Sequence, residues 1–353
     1  MVRVLHTGDT HIGFRQYGLE ERRKDFAEAF LQVVQLAVDE GVCAVIHAGD
    51  LFEDRSPSTE DLLATMQGLI ALKDAGISFL GVVGNHEQKR GVQWIDFFEE
   101  LGLAIHLRSE KPFELEGVPI YGLDFSGRRE IKLPRCQGGV LVCHQLLDRV
   151  EFDGELAFEA LLQCEARAVL LGDYHEYREW RERQNNREIL VTYCGSTERW
   201  ALDEQAERGV NIIDLSSGRL DRRRLKTRPF LYIRADEDPI QRLENSPVKD
   251  TVVVVYLASS RWNIAEIEKL GYERGALAVR VRDLRAPQES EVETSIELEF
   301  GDVDRTVEEA LARKNLSSVA REIDQIIRDL SIADSHIDPE VTALLERAWR
   351  ERS

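Results

Sequence analysis

The strongest constraint on this chain is a rhythm in its first 228 residues. Short β-branched runs stand at residues 2–5, 43–48, 77–83, 118–123, 139–143, 168–171 and 189–193. Helix-period stretches separate the early ones. Residues 21–40 carry Phe26, Phe30, Val33, Val34 and Ala37 on one face. Residues 59–75 follow Pro57 and Ser58, a good helix start, and residues 92–101 bring Trp94, Phe97, Phe98 and Leu101 together. Strand, helix, strand at this spacing predicts α/β layering around a largely parallel core.

A chain of 353 residues is too long for one ordinary core and divides into two or three units. The composition shifts after Arg222, Arg223, Arg224 and the pair Arg228-Pro229. Residues 1–228 form the first expected domain. Residues 229–300 read as a smaller α/β unit, with strands at 251–257 and 276–285 around a helix at 263–273. Residues 301–353 read as a charged helical tail. Its stripes, Val319, Ile323, Ile326, Ile327 and Leu330, then Val341, Leu344, Leu345 and Trp349, are too few to bury a core of their own. No run of about 18 uncharged apolar residues exists, so no membrane span is expected. The N-terminus lacks the features of a signal peptide, which points to the cytoplasm. Five scattered cysteines without a CxxC pair read as reduced core residues. The net charge of -19 argues against a broad basic face for nucleic acid. A locally positive site remains open to an acidic protein if metal ions build it.

The strand endings carry the chemistry. They read Gly8-Asp9-Thr10-His11, Gly49-Asp50-Leu51-Phe52, Gly84-Asn85-His86-Glu87, Cys143-His144-Gln145 and Gly172-Asp173-Tyr174-His175. Of 8 histidines, five lie in or beside these endings, counting His47. Carboxyl ends of parallel strands share one rim of a sheet, where α/β proteins build ligand sites. Asp9, His11, Asp50, Asn85, His86, His144, Asp173 and His175 are therefore expected to converge. Carboxylate, imidazole and amide oxygen suit Mn²⁺, Fe or Zn²⁺ better than a thiolate zinc site. The set is too large for one ion. Two ions roughly 3.5–4 Å apart, sharing a carboxylate, would use it, and such pairs hydrolyse phosphate esters.

In this order these motifs resemble the signature of the calcineurin-like metallophosphoesterases. The flanks HTGDTHIG, HAGDLF and GVVGNHE, with Tyr193-x-Gly195-Ser196-Thr197-Glu198-Arg199, resemble the double-strand-break-repair nucleases of the meiotic-recombination/SbcD type. The resemblance implies a β-sandwich flanked by helices, a small α/β DNA-capping domain and a helical C-terminal tail. It implies a Mn²⁺-dependent DNA nuclease, 3′–5′ exonuclease and single-strand endonuclease, with Mg²⁺ or another divalent ion as substitute. Its expected partners are DNA, a coiled-coil ABC-type ATPase held by the tail, and a second copy of the chain. By the family pattern Asp9, His11 and His175 hold one ion and Asn85, His144 and Asp173 the other. Asp50 bridges them, and His86 protonates the leaving 3′ oxygen or stabilises the phosphate. Two positions depart from that pattern. Asp173 and Glu53 both stand where the family usually has histidine. A carboxylate near a DNA phosphate repels it unless neutralised or turned away. The metal site alone also admits a phosphoesterase acting on a nucleotide or phosphoprotein, and a catalytically weak DNA-tethering scaffold.

Overall fold

The computed structural model describes residues 2–285 apart from 128–130, 153, 185–186, 203 and 205–206. Residues 286–300 of the expected second unit and the expected helical tail at 301–353 lie outside the described residues. No helix among those described is long and apolar enough to cross a membrane.

Two six-stranded sheets form the body. The first contains β1 (Arg3–Thr7), β2 (Ala44–His47), β3 (Ser78–Gly81) and β4 (Ile105–His106), all parallel and in that order. In the second, β5 (Phe113–Leu115) leads into β6 (Val118–Leu123), β7 (Val140–His144) and β8 (Ala168–Gly172). β9 (Arg178–Gln184) forms its far edge, paired antiparallel to β10 (Arg187–Tyr193), which lies parallel to β8. An antiparallel hairpin, β11 (Gly209–Asp214) and β12 (Arg219–Arg224), extends the first sheet beyond β1. The core is thus parallel with antiparallel margins.

Strand alternation assigns each residue to a layer. Val4, Ala44, Ile46 and Leu80 of the first sheet pack against Ile120, Val140, Val142, Ala168 and Leu170 of the second, closing a sandwich. Their neighbours Leu5, Val45 and Phe79 face outward onto helices. Those helices are α1 (Glu20–Glu40), α2 (Thr59–Asp74) and α3 (Trp94–Glu100). On the far side Leu141, Val169, Leu171 and Val191 pack against α4 (Phe158–Gln163). Strands covered on both faces must be apolar at every position, which is why they read as continuous runs.

Local signals agree with these elements. Phe26, Phe30, Val33, Val34 and Ala37 are all buried on α1. Ser58 caps α2 reciprocally: its Oγ accepts from the Asp61 N–H at 3.2 Å and its own N–H donates to Asp61 Oδ2 at 3.0 Å. On α3 the expected common stripe divides. Phe98 is buried with Ile95, whereas Phe97 and Leu101 are 42% and 45% exposed.

Beyond residue 228 a parallel three-stranded sheet, β13 (Phe230–Ile233), β14 (Val252–Leu257) and β15 (Ala278–Asp283), carries α5 (Pro239–Asn245) and α6 (Ile264–Glu273). It has its own core of Ile233, Leu243, Val253, Val255, Ile267 and Val279. An ionic joint connects it to α1. Arg22, fully buried, meets Asp25 Oδ2 at 2.6 Å and Glu198 Oε1 at 3.4 Å. Arg228 Nη2 donates to Asp25 Oδ1 at 2.7 Å. Removing one member would strand a buried charge, so the joint holds the segment at Arg228, just before β13, against α1.

Candidate metal centre

The loops that follow β1 and β2 are laced together before any side chain is considered. Asp9 N–H donates to the Gly49 carbonyl at 3.0 Å, Thr10 and His11 N–H donate to the Asp50 carbonyl at 3.0 and 3.1 Å, and Ile12 N–H donates to the Leu51 carbonyl at 3.0 Å. This lacing holds the backbone in an unfavourable region. Asp9, His11, Asp50 and Asp173 all have φ between 44° and 87°, four of the nine described non-glycine residues with positive φ. Backbone strain gathered on adjacent polar residues marks a working site, because surrounding structure must hold it in place.

At the turn after β8 the left-handed conformation belongs to Asp173, at φ 87°, and not to Gly172. Gly172 is required for space, since a Cβ there would run into the Ala48 carbonyl and the His144 ring. Gly84 does the same for Asp50, whose carboxylate and N–H occupy the place of a Cβ.

All eight expected residues reach this rim. His144 is the most informative. Its Nδ1 lies 2.7 Å from the Ala48 carbonyl, which can only accept, so Nδ1 bears the proton. Nε2 then faces oxygen acceptors: Asn85 Oδ1 at 2.9 Å, Asp50 Oδ2 at 3.3 Å and Asp173 Oδ1 at 3.6 Å. Burial disfavours a charged imidazole, yet Asp50, Asp173 and Asp9 outweigh it and hold the His144 pKa well above the ordinary value. A cation among those three oxygens would relieve the same electrostatic demand. A second convergence involves Asp9, His11 and His175. His11 Nε2 and His175 Nε2 face each other at 3.1 Å. Asp9 Oδ1 accepts from the Asp173 N–H at 3.0 Å, while its Oδ2 is buried with no partner. An orphaned buried carboxylate oxygen beside two imidazole nitrogens is a donor set for a divalent ion. Asp50 Oδ2 lies between the two groups, 3.3 Å from His144 Nε2 and 3.9 Å from His11 Nε2. The residues present therefore fit two ions sharing Asp50.

His86 sits above this floor. Its N–H donates to Asp50 Oδ1 at 3.0 Å, and its ring meets His11 edge to face at 4.8 Å. Its Nδ1 lies 3.2 Å from the Glu53 carbonyl, leaving Nε2 as the nitrogen free to face a substrate. His47, counted among the strand endings, is structural. It is buried against Thr10 Oγ1 at 3.0 Å, and burial lowers its pKa to about 3, so the ring is neutral.

Glu53 is turned inward rather than toward a phosphate. Its Oε2 accepts from Trp200 Nε1 at 3.1 Å and lies 2.8 Å from His11 Nδ1. Three further residues belong to the site although the sequence singled none of them out as a candidate. Glu204 Oε1 meets His175 Nδ1 at 2.7 Å. Burial opposes a charged His175, but Glu204 and Asp9 prevail and its pKa is raised. Trp200 stacks on Phe14 at 5.3 Å. Glu87, fully buried, accepts from the N–H groups of Phe52 at 3.1 Å and Gly84 at 3.3 Å, tying the loops after β2 and β3. Burial, then the nearby Asp50 charge, lifts its pKa to about 7.

The comparisons agree with this geometry. The calcineurin-like phosphoesterase family profile matches residues 2–211. The DNA double-strand break repair protein Mre11 of Haloferax volcanii is 40% identical over 370 residues, 98% of this chain and 82% of its own length. That of Halobacterium salinarum is 38% identical, over 96% of this chain and 92% of its own. The chain belongs to the Mre11 family. Its phosphoesterase class is one of metal-dependent hydrolases, in keeping with the clustered Asp and His ligands. Mre11 of Methanosarcina mazei is 40% identical across 96% of this chain, which spans 59% of that longer relative. The match to these Mre11 proteins runs past the phosphoesterase body, so it includes the three-stranded sheet described above.

Proposed function

We propose that this chain is the nuclease of a DNA double-strand break repair machine, cutting phosphodiester bonds at a pair of Mn²⁺ ions. The observation that supports it best is the His144 cage: a buried imidazole whose only open nitrogen is ringed by Asn85, Asp50 and Asp173. Asp9, His11 and His175 would hold one ion, Asn85, His144 and Asp173 the other, and Asp50 both. When bound, such a pair supplies an activated water and neutralises charge on the phosphoryl oxygens. The chain's own residues do the rest. The strained loops fix the ligands before substrate arrives, so no reorganisation is needed during reaction. His86, with Nδ1–H committed to the Glu53 carbonyl, presents Nε2 to the scissile phosphate; with a second proton on Nε2, it gives that proton to the leaving 3′ oxygen or stabilises the phosphate. Glu53, held against His11 and Trp200, does not oppose the incoming backbone. The full chain should cut linear and hairpin DNA with Mn²⁺ and not with EDTA. Equal or better turnover of nucleotides or phosphopeptides, with DNA left intact, would reject the assignment.

The expected 229–300 and 301–353 units fit a DNA cap and a grip for a coiled-coil ABC-type ATPase, and the expected setting is the cytoplasm. A homodimer is part of the same reading. Leu63 and Ile70 on α2, and Val92, Phe97 and Leu101 at α3, are 57%, 43%, 71%, 42% and 45% exposed, on two helices that pack on the same core. Large apolar side chains left exposed on helices suit an association surface. Phe97→Glu should halve the mass seen by light scattering and leave far-UV circular dichroism unchanged. A variant that stays dimeric would place the interface elsewhere.

A further inference from the structure

The two imidazoles expected at the first ion are each backed by a carboxylate, and one tryptophan touches both carboxylates. His175 Nδ1 lies 2.7 Å from Glu204 Oε1. His11 Nδ1 is buried, forms no hydrogen bond and lies 2.8 Å from Glu53 Oε2, at ion-pair distance. Trp200 then joins the pair. Its indole Nε1–H donates to Glu53 Oε2 at 3.1 Å, and its backbone N–H donates to Glu204 Oε2 at 2.9 Å. Arg208 Nη2 donates to the same Glu204 oxygen at 2.6 Å and Nη1 to the His175 carbonyl, also at 2.6 Å. The indole is held by its stack on Phe14 at 18° and lies about as far from His11, at 6.1 Å, as from His175, at 5.7 Å.

A neutral imidazole can ligate an ion through Nε2 only if its proton sits on Nδ1. The acceptor at Nδ1 therefore selects the tautomer, sets the ring plane and raises the basicity of Nε2. Glu204 stands where such an acceptor is needed for His175, and Glu53 where one is needed for His11. The two Nε2 atoms lie 3.1 Å apart, close enough to serve one ion. Position 53 is also one where this sequence departs from the family's usual histidine. A histidine there could not offer His11 a carboxylate.

We propose that Glu53 and Glu204 are the positioning residues of the first ion, and that Trp200 clasps them into one unit. Glu53 acts on the metal through His11, and Trp200 acts through Glu53. The inference rests on the two-ion reading above and adds three residues to it.

Titration of Mn²⁺ into the metal-free full chain by calorimetry tests it. Glu53→Gln keeps the shape and removes the charge. It should weaken one of the two ions by about 10–100-fold and leave the other within twofold. Glu204→Gln should weaken the same ion. Trp200→Phe, which keeps the stack and loses the indole N–H, should weaken it too. The double variant Glu53→Gln/Trp200→Phe should be no worse than Glu53→Gln alone, because one acts through the other. A second readout needs no metal. In histidine-selective ¹H–¹⁵N spectra of the metal-free protein, His11 should show the Nδ1–H tautomer, and Glu53→Gln should shift it toward Nε2–H. If Glu204→Gln fails to fold, the two variants on the half-buried rim decide alone. Unchanged Mn²⁺ affinities in Glu53→Gln, or equal losses at both ions, would reduce Glu53 to a structural contact. Loss of a third ion would make it a ligand with His86 and overturn the proposal in another way. A wild-type chain that binds fewer than two Mn²⁺ ions would fail the two-ion reading itself, and this inference with it.

Discussion

Asp50→Asn should cost the protein tight binding of both ions and lower Mn²⁺-dependent DNA cleavage by at least about 10³-fold. Asp50 is placed toward both donor groups through one oxygen, with Oδ2 3.3 Å from His144 Nε2 and 3.9 Å from His11 Nε2. Oδ1 accepts from the His86 N–H at 3.0 Å, so the carboxylate cannot rotate away without stranding a donor. Burial disfavours its charge, but His144, His11 and His86 outweigh burial and hold its pKa below the usual carboxylate range. The group is therefore ionised and ready for metal at any working pH. An asparagine of the same shape turns an NH₂ toward one of those neighbours and carries no charge to offset two divalent ions. Two measurements check this. Mn²⁺ should raise the melting temperature of the wild type by mass action and leave that of the variant unchanged. Metal analysis after desalting should fall from near two ions per chain toward none. A variant that retains two ions would remove Asp50 from the bridging position.

The parts of this site that could be read in the sequence share one property. Each lies at the break of an apolar run, where a polar residue has no packing reason to stand. Asp9, Asp50, Asn85, His144 and Asp173 all follow or end buried strands, and the sheet order brings those ends to one rim. Glu204 and Trp200 were not legible because they lie in a loop where Glu and Trp are unremarkable. Their meaning comes from which imidazole they touch. The same limit applies to the fold. The edge strands Arg178–Gln184 and Arg219–Arg224 are almost wholly charged or polar, since only central strands must be apolar throughout. Spacing on α3 correctly made an apolar helix, but periodicity alone could not separate Phe98, which meets the sheet, from Phe97, which meets solvent. Glu53 was legible as a departure, but not in what it touches. Its charge is directed at an imidazole and an indole, a direction only three-dimensional structure supplies.

Asp173 is the second departure, and it should behave as a ligand. Its Oδ1 lies 3.6 Å from His144 Nε2, and its own N–H donates to Asp9 Oδ1 at 3.0 Å, so one residue touches both donor groups. Tyr174 points the other way, into the far core against Tyr193 at 5.4 Å. Asp173→Ala should bring Mn²⁺ from two ions per chain to near one and remove cleavage. Asp173→His, the family's usual residue, should restore both ions. The two acidic and imidazole versions should differ in charge. Two divalent ions carry +4 and the carboxylates of Asp9, Asp50 and Asp173 carry −3, a net of about +1, against about +2 with histidine at 173. The wild type should therefore attract a phosphate less strongly, and Asp173→His should lower KM for DNA. The pH dependence follows from the carboxyl itself. Burial raises the Asp173 pKa from 3.8 to about 6, with His144 pulling it down and Asp9 and Asp50 adding to the rise. Below about pH 6 the metal-free site holds that proton, and an ion must displace it. Affinity for the second ion should then fall by up to about tenfold for each pH unit below 6 and level off above it. The same raised pKa favours the folded metal-free chain at low pH and ceases to do so as pH climbs through 6, where bound metal takes over the stabilisation. Two ions bound to Asp173→Ala with DNA still cut would leave Asp173 a structural residue only.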